Sequence, residues 1–177
     1  MKKFFTLLLL IVLACIVAGL YGIIHDQLTY TISPEYYTKF KFIQFGLSNE
    51  GDAVTRPRLM AGLVGIMATW WMGLIIGTIL SLFALTLKDW RKMFSVTLRA
   101  MLLTITIAFA IGLVGLLFGY VSLSMDDRMQ FYPYKVNDPV AFEAVGSMHN
   151  FSYAGGIIGL AAGIVYIIVQ NKKRVNN

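Results

Sequence analysis

Four long runs of apolar residues limit what this chain can fold into more than any other feature. They extend over about residues 4–24, 59–87, 100–123 and 152–169. The first is 21 residues long, and a helix needs roughly 20 residues to cross about 30 Å of hydrocarbon. Since such segments cannot remain exposed to water, they predict four transmembrane helices.

The charge content supports a membrane protein. Only 14% of the 177 residues are charged and 58% are hydrophobic, whereas an average soluble domain has roughly 25% charged residues. No core of an apolar run carries an acidic or basic residue, which argues against an ion-coupled transporter. We therefore predict an all-α membrane protein, a four-transmembrane-helix bundle forming one integral membrane domain over residues 1–177.

Lysine and arginine residues predict the orientation of the bundle. The N-terminus, the turn at 88–99 and the C-terminal tail together carry nine basic residues and one acidic residue. The polar segments 25–58 and 124–151 carry six basic and eight acidic residues. By the positive-inside rule, both termini and the 88–99 turn are cytoplasmic, and the two polar segments lie outside. Because the basic residues are scattered over short loops, no nucleic-acid-binding face is predicted.

The two outer segments predict a small mixed α/β cap on the outer face of the bundle. Residues 28–32 alternate between apolar and polar side chains, which is typical of a β-strand. Ser33 before Pro34, and Asp138 before Pro139, each combine a capping residue with a proline suited to the first helical turn. These pairs predict two helix starts within the cap.

The only two histidines are expected on the same side of the membrane. His25 follows the first apolar run and His149 precedes the fourth. The first and last helices of an up-and-down bundle are often neighbours, so the two imidazoles are expected to approach each other. The same face carries several candidate carboxylates: Asp26, Glu35, Asp126, Asp127 and Glu143.

Two imidazoles and one carboxylate suit a divalent metal such as zinc, with a fourth position left for water. The predicted metal ligands are His25, Glu35 and His149. Asp26 is the candidate catalytic residue, orienting the ligands or acting as a general base. No short motif such as H-E-x-x-H supports the site. Two alternatives stay open: each histidine bonds to backbone or water, or the two form a pH-sensing pair.

Small residues recur at four-residue intervals in the later helices, where they allow close approach of helix backbones. These stripes predict packing inside the bundle or, alternatively, contact with a second copy or another membrane protein. The surrounding lipid bilayer is the remaining partner. The stripe glycines are Gly73, Gly77, Gly115, Gly119, Gly155, Gly159 and Gly163.

Residues 21–45 resemble a family of uncharacterised bacterial inner-membrane proteins. The resemblance lies in His-Asp-Gln-x-Thr at 25–29 and Glu-Tyr-Tyr-Thr at 35–38, just after a first apolar helix. The family's second motif usually has Phe where this chain has Tyr37. The resemblance implies a multi-pass protein of the bacterial inner (plasma) membrane, and it implies no particular activity or cofactor.

Three functional hypotheses follow. The first is a non-enzymatic inner-membrane protein with an outward-facing binding or interaction surface around His25-Asp26-Gln27 and His149. The second is a metal-dependent membrane enzyme, for example a hydrolase, using His25, Glu35 and His149. The third is an accessory subunit of a membrane transport complex. The sequence does not decide between an enzyme and a binding protein.

Overall fold

The computed structural model describes residues 1–47, 55–122 and 136–172, and within these ranges the chain is helical with no β-strand. All four long helices are apolar enough and long enough to cross a membrane. The predicted all-α, multi-pass bundle is therefore confirmed. The helices are α1 (Lys2–Ile32), α2 (Pro57–Ala84), α3 (Trp90–Ser122) and α4 (Pro139–Lys172).

The bundle consists of two tightly packed helix pairs that touch each other more sparsely. Helix α1 packs along α2, and α3 packs along α4. The glycine stripes lie in these contacts: Gly73 and Gly77 face Ala14 of α1, and Gly119 faces Ala144 of α4. These glycines thus pack inside the chain, and contact with a second copy through the same helices stays a prediction.

At one end of the bundle, an apolar cluster joins all four helices. It includes Leu10 of α1, Leu80 of α2, Met93 of α3 and Ile167 of α4, all fully buried. The pairs are closed together here by side-chain packing. At the opposite end, which we call the His25 end, polar side chains lie between them.

Helix α1 continues through the segment predicted as a strand, so that prediction was wrong. Its buried positions recur every three to five residues from Leu10 through Gly22 to Asp26 and Thr29. This helical stripe outweighs the short alternation at 28–32. The Thr29 hydroxyl donates to the His25 carbonyl oxygen at 3.0 Å, which satisfies the polar side chain within the helix.

The cap segment, residues 34–44, is entirely helical, so the predicted mixed α/β cap was also wrong. It comprises Pro34–Tyr36, a π-helical turn at Tyr37–Lys41, and Phe42–Gln44. Its buried Tyr37 and Phe42 pack in a cluster with residues of α2 and α4, and this packing determines its conformation.

Both predicted helix starts are confirmed. Ser33 precedes Pro34, and its hydroxyl accepts from the Tyr36 backbone N–H at 3.4 Å. Asp138 precedes Pro139, and its carboxylate accepts from the Ala141 N–H at 3.0 Å. The second start fixes the entry of α4, three turns before His149.

Candidate functional site

A buried His–Asp–His centre bridges the two helix pairs at the His25 end. His25 and Asp26 lie near the end of α1, and His149 lies on α4. Their residues are only 4%, 3% and 5% exposed, respectively. Three ionisable side chains this deeply buried require partners, since burying an unpaired polar or charged group is costly.

One carboxylate oxygen holds the centre together. Asp26 Oδ1 lies 3.3 Å from His25 Nδ1 and 3.2 Å from His149 Nε2. The two imidazole rings are 4.7 Å apart and almost perpendicular. The histidines therefore lie next to each other, as the topology predicted, although α1 and α4 make few backbone contacts.

A backbone contact fixes the tautomer of His149. Its Nδ1 lies 2.8 Å from the Val145 carbonyl oxygen. A carbonyl oxygen only accepts hydrogen bonds, so the proton must be on Nδ1. In a neutral ring, Nε2 then presents its lone pair to the Asp26 carboxylate. The 3.2 Å contact of two acceptors requires a positive species between them, either a proton or a metal ion.

Polar and aromatic neighbours hold both rings in place. His25 Nε2 lies 3.2 Å from the Ser152 hydroxyl. Tyr36 of the cap segment stacks on His149, with ring centres 5.1 Å apart. Asp26 Oδ2 is buried and has no hydrogen-bond partner among the described residues. One carboxylate oxygen of Asp26 therefore contacts both histidines, and the other accepts no hydrogen bond of normal geometry from the described residues.

A narrow apolar cavity begins at the centre and extends between the helix pairs. Its volume is about 100 Å³. His25, Asp26, His149 and Ser152 form its polar end. Most of the remaining lining residues are aliphatic side chains of α1, α2 and α3, including Val17, Met72, Ile76, Ile105 and Ala108. Tyr21, Thr69, Thr104 and Tyr153 also line the cavity.

A second cavity, of about 330 Å³, lies between the cap segment and the start of α4. Its lining includes Lys41, Glu143 and His149, together with the exposed Gln44 and Asn150. His149 lines both cavities. Because exposed residues form part of its lining, the second cavity opens to the protein surface.

Comparisons with protein-family models, curated proteins and solved structures gave no match. The function must therefore be inferred from the site.

Glu35, predicted as a metal ligand, is engaged elsewhere. Its Oε2 accepts from the backbone N–H groups of Asn137 at 2.9 Å and Asp138 at 3.0 Å, and its Oε1 pairs with Lys39. Of the described residues, only His25, Asp26 and His149 bring metal-ligating atoms together, all within 4.8 Å. Glu35 instead fastens the cap segment to the start of α4.

The bonds of Glu35 predict a pH-dependent contribution to stability. Desolvation opposes ionisation, but the hydrogen bonds from Lys39, Asp138 and Asn137 and the charge of Lys39 outweigh it, so the pKa of Glu35 is lowered. A lowered folded-state pKa stabilises the fold above the ordinary value of 4.5, and this stabilisation is lost as the pH falls through the folded-state pKa.

Glu35→Gln should therefore cost about 1 kcal/mol at pH 7, since the group is partly solvent-screened. Unfolding measured from pH 7 to pH 3 should show the difference shrinking in acid. A difference that is constant over this range would contradict the assignment.

The cap segment shields the centre with groups of its own. The hydroxyls of Tyr37 and Thr29 are 2.6 Å apart. Burial, followed by the negative charge of Asp26, raises the pKa of Tyr37, so the phenol keeps its proton. Burial lowers the pKa of Lys41, while the charge of Asp26 acts in the opposite direction. The charge of Asp26 thus acts on the pKa of both groups, which lie on the cap side of the centre.

No sequence pattern singled out Ser152, the Val145 carbonyl or Tyr21, whose ring centre lies 5.6 Å from that of His25. Helical spacing was the available signal, because Ser152 follows His149 by three residues and Tyr21 precedes His25 by four. Of the other candidate carboxylates, Glu143 lines the second cavity. Asp126 and Asp127 lie outside the described residues.

Proposed function

We propose that this chain is an inner-membrane protein of bacteria that binds a divalent metal ion, zinc fitting best, through His25, Asp26 and His149. The observation that carries this proposal is the geometry of His149, whose Nδ1–H is used by Val145 and whose Nε2 lone pair faces a carboxylate oxygen. A metal ion accepts both lone pairs. This sharpens the predicted binding function and replaces Glu35 with Asp26 as the third ligand.

The two distances at Asp26 Oδ1 fit zinc coordination. Zinc bonds to imidazole nitrogen and carboxylate oxygen are about 2.0–2.2 Å long. For bonds of this length, the 3.2 and 3.3 Å separations at Asp26 Oδ1 correspond to N–Zn–O angles of about 105°. That value is close to a tetrahedral angle. Two nitrogens and one oxygen also match the ligand preference of zinc.

The surroundings resemble the outer shell of metal sites in general. Metal-bound histidines commonly use the second ring nitrogen to bond a backbone carbonyl, carboxylate or water. His149 does so with Val145, and His25 Nε2 contacts Ser152. The cavity beside the three residues leaves room for a fourth ligand. With the His25 end outside the cell, as the basic residues predict, the metal would arrive from the outer aqueous phase.

Metal analysis of the purified protein tests this function directly. After exposure to Zn²⁺ and dialysis, the wild-type protein should retain about one equivalent per chain. His25→Ala and His149→Ala should lose it. Ser152→Ala should weaken Zn²⁺ affinity by about 10–100-fold, as is typical when an outer-shell partner is removed.

Glu35→Ala is the matched control, because it removes a nearby carboxylate that lies outside the centre. It should keep the metal stoichiometry of the wild type. Size-exclusion profiles and helical circular dichroism must show that each variant is folded. If folded wild-type protein retains no zinc, or if His149→Ala retains as much, the metal proposal is wrong, and Asp26 shares a proton with His149 instead.

A further inference from the structure

The second cavity, between the cap segment and the start of α4, contains a buried lysine. Lys41 lines this cavity and is only 4% exposed. It ends the π-helical turn Tyr37–Lys41, and turns of this type are rare and occur frequently at functional sites. Lysine is almost never buried this fully unless its charge is paired, so the partner of Lys41 has to be identified.

The ammonium group of Lys41 has no anionic partner within the described part of the chain. No carboxylate there forms an ion pair with its Nζ, and no oxygen there accepts a hydrogen bond from it. It does lie near the ring of Phe45, whose centre is 5.4 Å away. A contact with a ring face supplies no hydrogen-bond acceptor. An ammonium group has three hydrogens to donate, and a ligand can accept them.

The same nitrogen atom faces open space. Some buried polar atoms of the described residues are fully enclosed by protein and make no hydrogen bond of normal geometry; these are Tyr21 Oη, Asp26 Oδ2, Ser81 Oγ and Thr97 Oγ1. Lys41 Nζ is not one of these enclosed atoms, so it is accessible from the cavity that Lys41 lines. The volume of about 330 Å³ is many times the roughly 10–15 Å³ that one water molecule needs, which leaves room for an organic molecule.

Aromatic rings form much of the remaining wall. The ring centre of Tyr36 lies 5.4 Å from that of Phe40 and 5.1 Å from that of Phe142, and all three residues line the cavity. The exposed Gln44 and Asn150 also line it, and their amide groups can donate hydrogen bonds. Ring faces bury apolar surface well. These walls therefore suit a ligand with an apolar body and an anionic group.

The charges of the lining favour a single negative charge on that group. Lys41 is the cation and Glu143 the carboxylate among the described lining residues. Glu143 Oε1 lies 3.5 Å from the Ser147 hydroxyl. A phosphate monoester carries a charge of about −1.5 to −2 at pH 7, so Glu143 would oppose its binding strongly. A carboxylate carries one negative charge, which Lys41 can balance.

We propose that the second cavity binds a small organic carboxylate with an aromatic or other apolar body. The carboxylate accepts hydrogen bonds from the Lys41 ammonium group, and the body lies against the rings of Tyr36, Phe40 and Phe142. Lys41 is not one of the proposed zinc ligands, although His149 lines this cavity as well. The inference therefore goes beyond the proposed metal function and is tested on metal-free protein.

Fluorine NMR with para-fluorobenzoate tests the site, using detergent-solubilised, metal-free protein in a buffer that contains no carboxylate. The wild-type protein should bind this probe, and acetate should compete about tenfold less well than benzoate because it lacks the apolar body. Lys41→Met should lower the affinity for the probe about tenfold or more, since the hydrogen bonds to a charged donor are lost.

Lys39→Met is the matched control. It removes the same charge two residues away, but Lys39 pairs with Glu35 and is not among the described residues that line the cavity. It should leave the affinity unchanged. Lys41→Met is expected to fold, because replacing a buried charge with an apolar side chain of similar volume is often neutral or stabilising.

Gln44→Glu is a second test that does not depend on replacing Lys41. The change is isosteric and exposed, so it should not affect folding, and its negative charge should weaken binding about threefold. Absence of binding to wild-type protein, or unchanged binding in folded Lys41→Met, would overturn the site. If Lys41→Met does not fold, unchanged binding in Gln44→Glu has the same meaning. Inorganic phosphate that competes better than benzoate would overturn the choice of a carboxylate.

Discussion

Replacing Asp26 with alanine is expected to unfold or strongly destabilise the protein and to abolish zinc binding. The substitution leaves His25 and His149 facing each other in a buried space without the oxygen that both contact. Losing a partner costs a buried polar group roughly 1–3 kcal/mol, and a buried ion pair roughly 3–5 kcal/mol. We expect a loss of about 3 kcal/mol, measured by unfolding in detergent.

Asp26→Asn separates the structural role of this residue from its role in metal binding. Both imidazoles contact the same oxygen of Asp26, and an asparagine amide nitrogen at that position can donate one hydrogen to His149 Nε2 and the other to His25 Nδ1. The fold should therefore keep most of its stability. Zinc affinity should nevertheless fall by more than the roughly 10–100-fold expected for an outer-shell change, because the anionic ligand is gone. Unchanged zinc affinity in folded Asp26→Asn would exclude Asp26 as a ligand.

Gly65→Ala is the second substitution with a large expected effect. At this point α1 and α2 touch through their backbones. A Cβ on Gly65 would lie 2.5 Å from the carbonyl carbon of Gly22 and 2.9 Å from the backbone nitrogen of Ile23. Backbone atoms cannot rotate away as a side chain can, so the helices must separate. We expect a loss of about 1–3 kcal/mol or more in unfolding free energy.

Gly62→Ala is a closely matched control, one turn away on the same helix. Its new Cβ would lie 3.5 Å from the Gln27 side chain and 3.8 Å from that of Ile23, which are ordinary contact distances. Alanine is also about 1 kcal/mol more favourable than glycine within a helix. Gly62→Ala should therefore be neutral or stabilising. Equal destabilisation by both substitutions would show that the close α1–α2 contact at Gly65 is not the cause.

The membrane bundle could be predicted because its signals are long. A run of about 20 apolar residues has few structural alternatives, and each capped proline marks a helix start by local chemistry alone. The strand at 28–32 failed for the opposite reason. Five alternating residues are a weak signal, and the buried stripe of α1, which begins at Thr6, decides their conformation.

The sequence predicted correctly that the two histidines are neighbours, but it did not predict which carboxylate lies beside them. Topology alone brings His25 and His149 to one end of the bundle. The choice between Asp26 and Glu35 depends on which side chain points between the helix pairs. Asp26 points between the helix pairs because α1 stays helical past His25. The strand predicted at 28–32 hid this continuation of the helix. Glu35 is taken by three donors at the start of α4, contacts that no local pattern reveals.

The cavity between the helix pairs could not be predicted from the sequence. Beyond the polar end, its walls are mostly ordinary apolar residues, and nothing in their order distinguishes a lined space from a packed core. Gly156 illustrates the difficulty, since it lies among glycines that pack tightly against α3, such as Gly155 and Gly159. Only the separation of the two helix pairs gives this glycine open space.

The division of the centre between the first and last helices has a consequence for biogenesis. His25 and Asp26 leave the ribosome well before His149, so α1 and α2 are synthesised while Asp26 has no histidine from α4 beside it. The backbone contact of this pair, at Gly22 and Gly65, needs no residue of α4. Only the arrival of α4 gives Asp26 Oδ1 its second contact, with His149 Nε2.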